Sequence, residues 1–379
     1  MGQVKRVKAA IIGCGGISPN YLKNIINNFH IIELVGCSDI ITERSAAKAE
    51  EYNIKQMTNE EIFADKEIEI VINLTYPLSH NEVTKAALLA GKHVYCEKMM
   101  AVTLEEGKEL VELAKSKSLL FTMAPDTFLG AGWQTVRYYI DNGFIGEPIS
   151  AIGISIRAYH DTSNNLTDRK SFVFSPGGGI PFDMGGYYLH NFIQLFGPIN
   201  RVSGFGKTRN PVRKYINPRH PRYGEEYTID SPNTLVGSLE FENGTYVSLI
   251  ITSEASLFLD PMLEIHGTEG VLTCFDPNEF NGDITLRRIY NEPKPVTLLH
   301  GFNDENRGVG VADMAYALKN KRRPRAHCDM GFHAFEAVHG ILESCETGHV
   351  YIMKSSCSRP EPIRIGQFYG SAQEHYLDY

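Results

Sequence analysis

Val7-Lys8-Ala9-Ala10-Ile11-Ile12-Gly13-Cys14-Gly15-Gly16-Ile17-Ser18 opens as a short apolar run and breaks into glycines. A run of this length reads as a buried strand. A helix is expected next, from about Pro19 to Asn28. Strand, glycine turn and helix together are the setting in which a Gly-x-Gly-x-x-Gly pattern binds a dinucleotide. Gly13 permits the tight turn, and Gly15 lets the backbone approach a pyrophosphate at the helix N-terminus. Gly16 and Ile17 continue the turn, and Ser18, at the third glycine position, is small enough for close helix–strand packing. Ile32 to Ser38 is the second strand, and Asp39 ends it, where an acidic side chain holds ribose hydroxyls. A carboxylate repels a 2′-phosphate, and no arginine follows before Arg44, so NAD is expected over NADP.

The alternation continues outward from this stretch. Ile68–Leu74, His93–Cys96 and Leu119–Met123 read as strands. Helices are expected over Ser79–Ala90, closed by Gly91, and from the Thr103-Leu104-Glu105-Glu106 capping box to about Lys117. This is a parallel sheet with crossover helices. Asn73-Leu74-Thr75-Tyr76-Pro77 ends a central strand, so Thr75 and Pro77 are expected to line the nicotinamide side, against the reading of an ordinary proline loop.

Beyond residue 125 the pattern changes. Asp126 to Asn142 reads as one helix, and longer alternating segments follow from Ile149. Leu235, Gly237, Leu239 and Phe241 share one face of a strand, and Asn243-Gly244 turns it back into Tyr246–Ile251. Further strands are expected near Met262–His266, Val271–Cys274 and Ile284–Ile289, forming an antiparallel sheet with one covered face. Helices over Gly308–Asn320 and Gly331–Glu346 close the chain, and Asn210 to Asp230 reads as a surface loop. Two domains are expected: 1–125 for NAD binding, and 126–379 for substrate and oligomerisation.

Composition narrows the function. The 379 residues are 42% hydrophobic and 22% charged, with a net charge of −8, and no basic block suits nucleic acid. The basic run Lys319–Arg323 reads as a solvated helix end. Seven cysteines without a Cys-x-x-Cys motif suit a reducing cytoplasm. The N-terminus runs directly into a strand, so no signal peptide is expected, and no apolar stretch approaches the ~20 residues of a membrane span. Asp/Glu/His metal spacing is absent, so no metal is expected.

Two further segments carry chemistry. Gly91-Lys92-His93-Val94-Tyr95-Cys96-Glu97-Lys98 is a strand ending in a Glu–Lys pair at the edge of the cofactor cleft. Ser175-Pro176-Gly177-Gly178-Gly179-Ile180-Pro181-Phe182-Asp183 leads into a helix. At 100° per residue, Asp183, Tyr187, His190 and Gln194 fall within roughly 60° of one another. A carboxylate, a phenol and an imidazole aimed at one cleft suit proton transfer. Packing at a domain boundary is the competing reading.

On these segments the chain resembles the Gfo/Idh/MocA oxidoreductases, the family of glucose–fructose oxidoreductase and inositol dehydrogenase. The carriers are Gly13 to Ile17, Asp39, Ala90 to Lys98 and Gly177 to Gly185. The resemblance implies an α/β protein: an N-terminal Rossmann domain and a C-terminal α/β domain on a large open, mostly antiparallel sheet. It also implies a homodimer, homotetramer or larger homo-oligomer built on that sheet. The family usually reads Glu-Lys-Pro, and here Met99 follows Glu97-Lys98, so a turn of altered shape or rigidity is expected. Tyr187 stands where the family commonly has a catalytic histidine, and His190 lies one turn further on.

The expected activity is NAD-dependent oxidation of a secondary hydroxyl of a sugar, a glycoside (at position 3 in some members) or a cyclitol. Lys98 holds the reacting oxygen, Tyr187 or His190 takes the proton, and Asp183 binds a hydroxyl or orients the base. Arg157, Tyr159, His160 and Asp161 are candidates for further hydroxyls. An NAD-dependent glycosidase working by transient oxidation and elimination shares the first step. A non-catalytic sugar-sensing regulator has no need of Lys98 paired with Asp183.

Overall fold

The computed structural model describes residues 6–158, 172–255, 259–366 and 370–378. Strands and helices alternate through β1 (Val7–Ile12), α1 (Ser18–Asn28), β2 (Ile32–Ser38), α2 (Thr42–Tyr52), β3 (Lys55–Gln56) and α3 (Asn59–Ala64). They continue through β4 (Ile70–Asn73), α4 (Pro77–Leu89), β5 (His93–Cys96), α5 (Leu104–Ser116) and β6 (Phe121–Met123). The six strands are parallel in the order β3-β2-β1-β4-β5-β6, the doubly wound order of dinucleotide-binding domains. The order reverses between β1 and β4, and ligands bind outside the carboxyl ends of the strands there. Gly13, Asp39, Thr75 and Lys98 all follow such ends. The Thr103–Glu106 capping box starts α5, with Glu106 N–H donating to Thr103 Oγ1. The helices α2 and α3 were not anticipated from the sequence; their short polar segments carry little apolar periodicity.

Asp126 to Asn142 is not one helix. A 3-10 turn covers Thr127–Leu129, Gly130 is extended (φ −68°, ψ 158°), and α6 begins afterwards (Ala131–Asp141). A Cβ on Gly130 would lie 2.3 Å from the Phe280 carbonyl oxygen, so the break lets another segment pass at backbone contact. Asp126 is buried, and its carboxylate accepts the N–H groups of Gly308 and Gly310 at 2.9 and 3.0 Å.

The second sheet is built from β7 (Pro148–Ala158), β8 (Ile199–Lys207), β11 (Thr234–Phe241), β12 (Tyr246–Ala255), β13 (Leu259–Gly267), β14 (Gly270–Cys274), β15 (Thr285–Arg288), β16 (Lys294–Pro295) and β17 (Tyr351–Ile352). Its order among the described residues is β16-β15-β14-β13-β7-β12-β11-β8-β17. The pairings are antiparallel except β7 with β12, which run parallel. Leu235, Gly237, Leu239 and Phe241 face inward as expected. They pack under α7 (Ile180–Phe196) and α9 (Cys328–Thr347). The segment Asn210–Asp230 is more than a loop: β9 (Val212–Lys214) pairs with β10 (Glu226–Thr228). Tyr215, Tyr227 and Ile229 pack there with Val173 and Phe174 into a small separate core. The inward position of β9 is the charged Arg213, which hid this hairpin.

The chain then turns back. α8 (Val309–Asn320) begins at Gly308, φ +104°, beside Ile25 and Phe29, and packs near β6. Met123 N–H donates to the Ala326 carbonyl at 3.0 Å. Residues 308–326, inside the expected 126–379 unit, thus pack on the first sheet. No helix among the described residues is long and apolar enough to cross a membrane.

Burial holds His190, His300, His327, His333 and His339 near a pKa of about 4. Each is neutral when folded and takes up a proton near pH 6.5 when unfolded, so the unfolded state binds more protons between those values. Stability is therefore fully present above pH 6.5 and lost as pH falls toward 4. Calorimetry across that range is expected to show a steep, cooperative fall in Tm; a flat Tm from pH 7 to 4.5 contradicts the buried neutral set.

Candidate active site

The glycine turn fits a dinucleotide on its geometry. Gly13 has φ +105°, and a Cβ there would lie 2.6 Å from the carbonyl carbon of Leu74, so only glycine is accommodated. A Cβ on Gly15 or Gly16 would meet nothing within 4 Å, which leaves an open cradle before α1. α1 has Pro19 in its first turn and no side-chain cap at Ile17. An uncapped helix start with an open approach suits a pyrophosphate. Asp39 stands at the same opening, its carboxylate oriented by the N–H groups of Cys14 and Ile41, each at 2.7 Å. Thr75 is held by Asn73, which accepts from both its Oγ1 (2.7 Å) and its N–H (3.2 Å). Pro77 starts α4.

Lys98 lies at the end of β5, and the Lys98–Met99 peptide is cis, so the turn is cis with methionine following the lysine. Its Nζ is 2.9 Å from Asp183 Oδ1, 4.0 Å from Glu97 Oε2 and 4.9 Å from the centre of the Tyr187 ring. Burial works against the ammonium, but Asp183, Tyr187 and Glu97 outweigh it and raise the Lys98 pKa above the usual lysine value. Lys98 is a fixed cation at neutral pH, suited to donating hydrogen bonds rather than taking protons. Glu97 is itself anchored: its Oε1 accepts from Tyr21 OH at 2.7 Å, and Tyr21 OH lies 3.3 Å from Tyr95 OH. Burial pushes Asp126, beyond Tyr95, up to about 6 against the bonds from Gly310 and Gly308 and the charge of Arg307.

The four members of the helical stripe separate in space. Asp183 and Tyr187 meet Lys98. His190 is 1% exposed, with Nδ1 2.8 Å from the Gly186 carbonyl and its ring stacked on Phe128. Gln194 is wholly buried against α6, donating to Asn191 Oδ1 and accepting from Gln134. The sequence reading gave α7 one apolar side, yet the helix is buried on every side except at Asp183. A helix packed all round has no solvent face to set its polar stripe against.

Arg307 is a site residue that sequence reasoning missed. It is 9% exposed and precedes the glycine that starts α8. Its guanidinium pairs with Glu305, and Nη2 donates to the carbonyl and Oδ1 of Asn278 at 3.2 and 2.7 Å. Burial opposes its charge, but its interaction with the Tyr187 phenol and the charge of Glu305 hold its pKa above the arginine value. Tyr187 therefore stands between two cations, one over its ring and one toward its hydroxyl. A single arginine in a loop carries no periodicity that would have marked it. Asp276 continues this wall, with Arg157 at 3.7 Å. Tyr159, His160 and Asp161 lie outside the described residues.

A parallel dinucleotide-binding sheet, followed by an α/β domain whose central helix carries polar residues up to the strand ends, defines a two-domain Rossmann class. Residues 7–124 match the family described as "Oxidoreductase family, NAD-binding Rossmann fold", and residues 133–273 match the "GFO/IDH/MocA C-terminal domain". The chain belongs to the Gfo/Idh/MocA family, and its cofactor is NAD. It is 34% identical over 202 residues to an uncharacterized oxidoreductase of Schizosaccharomyces pombe, covering 52% of this chain and 53% of that protein. The chain thus spans about half the length of that relative. It is 29% identical over 323 residues to a 1,5-anhydro-D-fructose reductase of Ensifer adhaerens, covering 83% of this chain and 90% of the reductase. A solved levoglucosan dehydrogenase, in complex with NADH and L-sorbose, superimposes with a TM-score of 0.80 at 19% identity, covering 93% of this chain and all of that one. That likeness is one of fold.

Proposed function

We propose that the protein is an NAD-dependent dehydrogenase that oxidises a secondary hydroxyl of a sugar, glycoside or cyclitol. The observation that carries this reading is the Lys98–Asp183 contact of 2.9 Å, with Tyr187 against the lysine, at the carboxyl end of β5. Bound NAD supplies the hydride acceptor. Gly13, Gly15, Gly16 and Ile17 hold its pyrophosphate, Asp39 its ribose hydroxyls, and Thr75, Pro77, Glu97 and Lys98 line its reactive end. Lys98 donates a hydrogen bond to the reacting oxygen and stabilises the alkoxide as the proton leaves. Tyr187, whose ring lies 4.9 Å from Lys98 Nζ, accepts that proton. Asp183 fixes Lys98 and binds a neighbouring hydroxyl. His190 supports α7 from below; its neutral ring is engaged with Gly186 and Phe128. Arg307, Asp276 and Arg157 offer donors and acceptors in nearly balanced charge, which suits a neutral polyol.

A panel of myo-inositol, levoglucosan, 1,5-anhydro-D-fructose and p-nitrophenyl glycosides, with NAD or NADH, tests the reading through absorbance of NADH. Turnover of a polyol with stoichiometric NADH change is expected. Release of p-nitrophenol without net NADH would replace it with the glycosidase reading. No turnover of any member sinks both.

An oligomer is part of this proposal. Phe205, Val236, Ile250, Ile154 and Met262 pair in register across five strands, on the sheet face opposite α7. Phe205 is 75% exposed and Val236 41%. A continuous apolar row of this kind suits burial against a second copy. Light scattering is expected to give at least a dimer at ~10 µM, and Phe205→Glu with Val236→Glu a monomer. A monomeric native protein excludes the interface. The seven unpaired thiols support placing the protein in the reducing cytoplasm.

A further inference from the structure

One buried side chain links the cofactor turn to the lysine turn, and none of the chemistry above uses it. His80 lies one turn into α4 and is 1% exposed. Its Nδ1 is 2.6 Å from the Met99 carbonyl oxygen and its Nε2 is 3.0 Å from the Thr75 carbonyl oxygen. Both facing atoms accept hydrogen bonds, and a neutral imidazole donates only one. Burial, with the charge of Lys98, lowers the His80 pKa against the two carbonyls and Glu97. Burial thus favours the neutral ring, and of its two contacts the one from Nδ1 to Met99 is the shorter.

The surroundings fix the backbone on both sides of this ring. Asn73 Nδ2 donates to the His80 carbonyl at 3.1 Å and to Thr84 Oγ1 at 3.0 Å, while Asn73 Oδ1 accepts from Thr75. The Leu74–Thr75 backbone is in turn the surface against which Gly13 packs without room for a Cβ. A chain of contacts thus runs from the glycine turn through Thr75 and His80 to Met99, and from there to Lys98 and Asp183.

We propose that His80 is a positioning residue, whose Nδ1–H bond to Met99 and contact with Thr75 set Lys98 at its distance from the cofactor turn. This rests on the reading of Lys98 as the group that meets the reacting oxygen. His80 is buried and acts through Met99 and Thr75 rather than at the reacting atoms. A displacement of about 1 Å at a reacting group lowers rate about 10²-fold.

The test uses the whole 379-residue chain and three variants. His80→Asn places an amide N–H near the Nδ1 position, His80→Gln reaches only toward Nε2, and His80→Leu removes both. Nitrogen-15 NMR of the histidine-labelled native protein, with His80 assigned by its loss in His80→Asn, is expected to show the neutral Nδ1–H tautomer. An Nε2–H tautomer overturns the proposal even if His80→Leu and His80→Gln do not fold. Crystal structures are expected to show the 2.9 Å Lys98–Asp183 contact broken in His80→Leu and kept in His80→Asn. An unchanged contact in His80→Leu overturns it. With the polyol that turns over, kcat is expected to fall about 10²-fold in His80→Leu and less than tenfold in His80→Asn, with NADH affinity unchanged by fluorescence titration. Equal kcat loss in His80→Asn, His80→Gln and His80→Leu, in step with Tm, makes His80 merely structural and overturns the proposal. Lys98→Met, assayed beside them, separates the two ideas. If it stays active, the reading of Lys98 fails. If it is dead while His80→Leu is active, only the role of His80 fails.

Discussion

Lys98→Met is expected to lower kcat about 10³-fold, about 4 kcal/mol of transition-state stabilisation, with little change in NAD affinity. Methionine keeps the length and packing of the lysine stem and removes only the charge and the donor. Alkoxide charge develops on the substrate as the proton leaves, so a cation fixed by Asp183 acts more strongly on the transition state than on the bound alcohol. The loss therefore belongs in kcat more than in KM. The substitution also strips a partner from Asp183, a half-buried carboxylate. Removing the cation that such a carboxylate faces destabilises the fold. Lys98→Met with Asp183→Asn removes that complication and is expected to recover Tm without recovering kcat. A single variant that keeps kcat within tenfold of native would falsify the assignment of Lys98.

Tyr187→Phe is the second large effect, a loss in kcat of about 10²-fold or more, the usual worth of a positioned proton acceptor. Phenylalanine keeps the ring beneath Lys98, 4.9 Å from its Nζ in the native protein, and deletes the hydroxyl that faces Arg307. Tm is expected to move by only a few degrees. The informative comparison is His190→Asn, whose amide N–H replaces the donor to the Gly186 carbonyl. It is expected to cost less than tenfold. Because burial holds His190 down to about 4, its charge does not change in the neutral range and cannot produce a kinetic transition there. If His190→Asn proves the more damaging of the two, proton acceptance belongs to His190 and the role given to Tyr187 is withdrawn.

The first sheet was legible because each of its signals is local. Apolar runs at Val7–Ile12 and Ile32–Ser38 coincide with β1 and β2, and the Thr103–Glu106 capping box starts α5 where the sequence places it. The inward face of Leu235, Gly237, Leu239 and Phe241 was equally readable, because side chains alternate with a period of two along any strand. Asp126–Asn142 failed for a non-local reason. Helix propensity runs through it, but Asp126 is drawn to the start of α8 and Gly130 yields to the Phe280 backbone, both far along the chain. The hairpin in Asn210–Asp230 failed because its apolar partners, Val173 and Phe174, lie outside the segment.

The sequence by itself determined the Rossmann fold, the glycine turn with Asp39, and the candidacy of Lys98, Asp183, Tyr187 and His190. Each rests on residues within one strand, turn or helix. Periodicity gives the angle of a side chain about its own helix axis, but not which angle faces the cleft. α7 is buried everywhere except at Asp183, so its neighbours made that choice. They brought Lys98 to Asp183 and Tyr187, and they buried His190 under Phe128 and Gln194 against α6. Only the tertiary structure could add Arg307 and His80. Each is a lone residue in its segment, and its meaning comes from charges and carbonyls that folding brings to it from elsewhere in the chain.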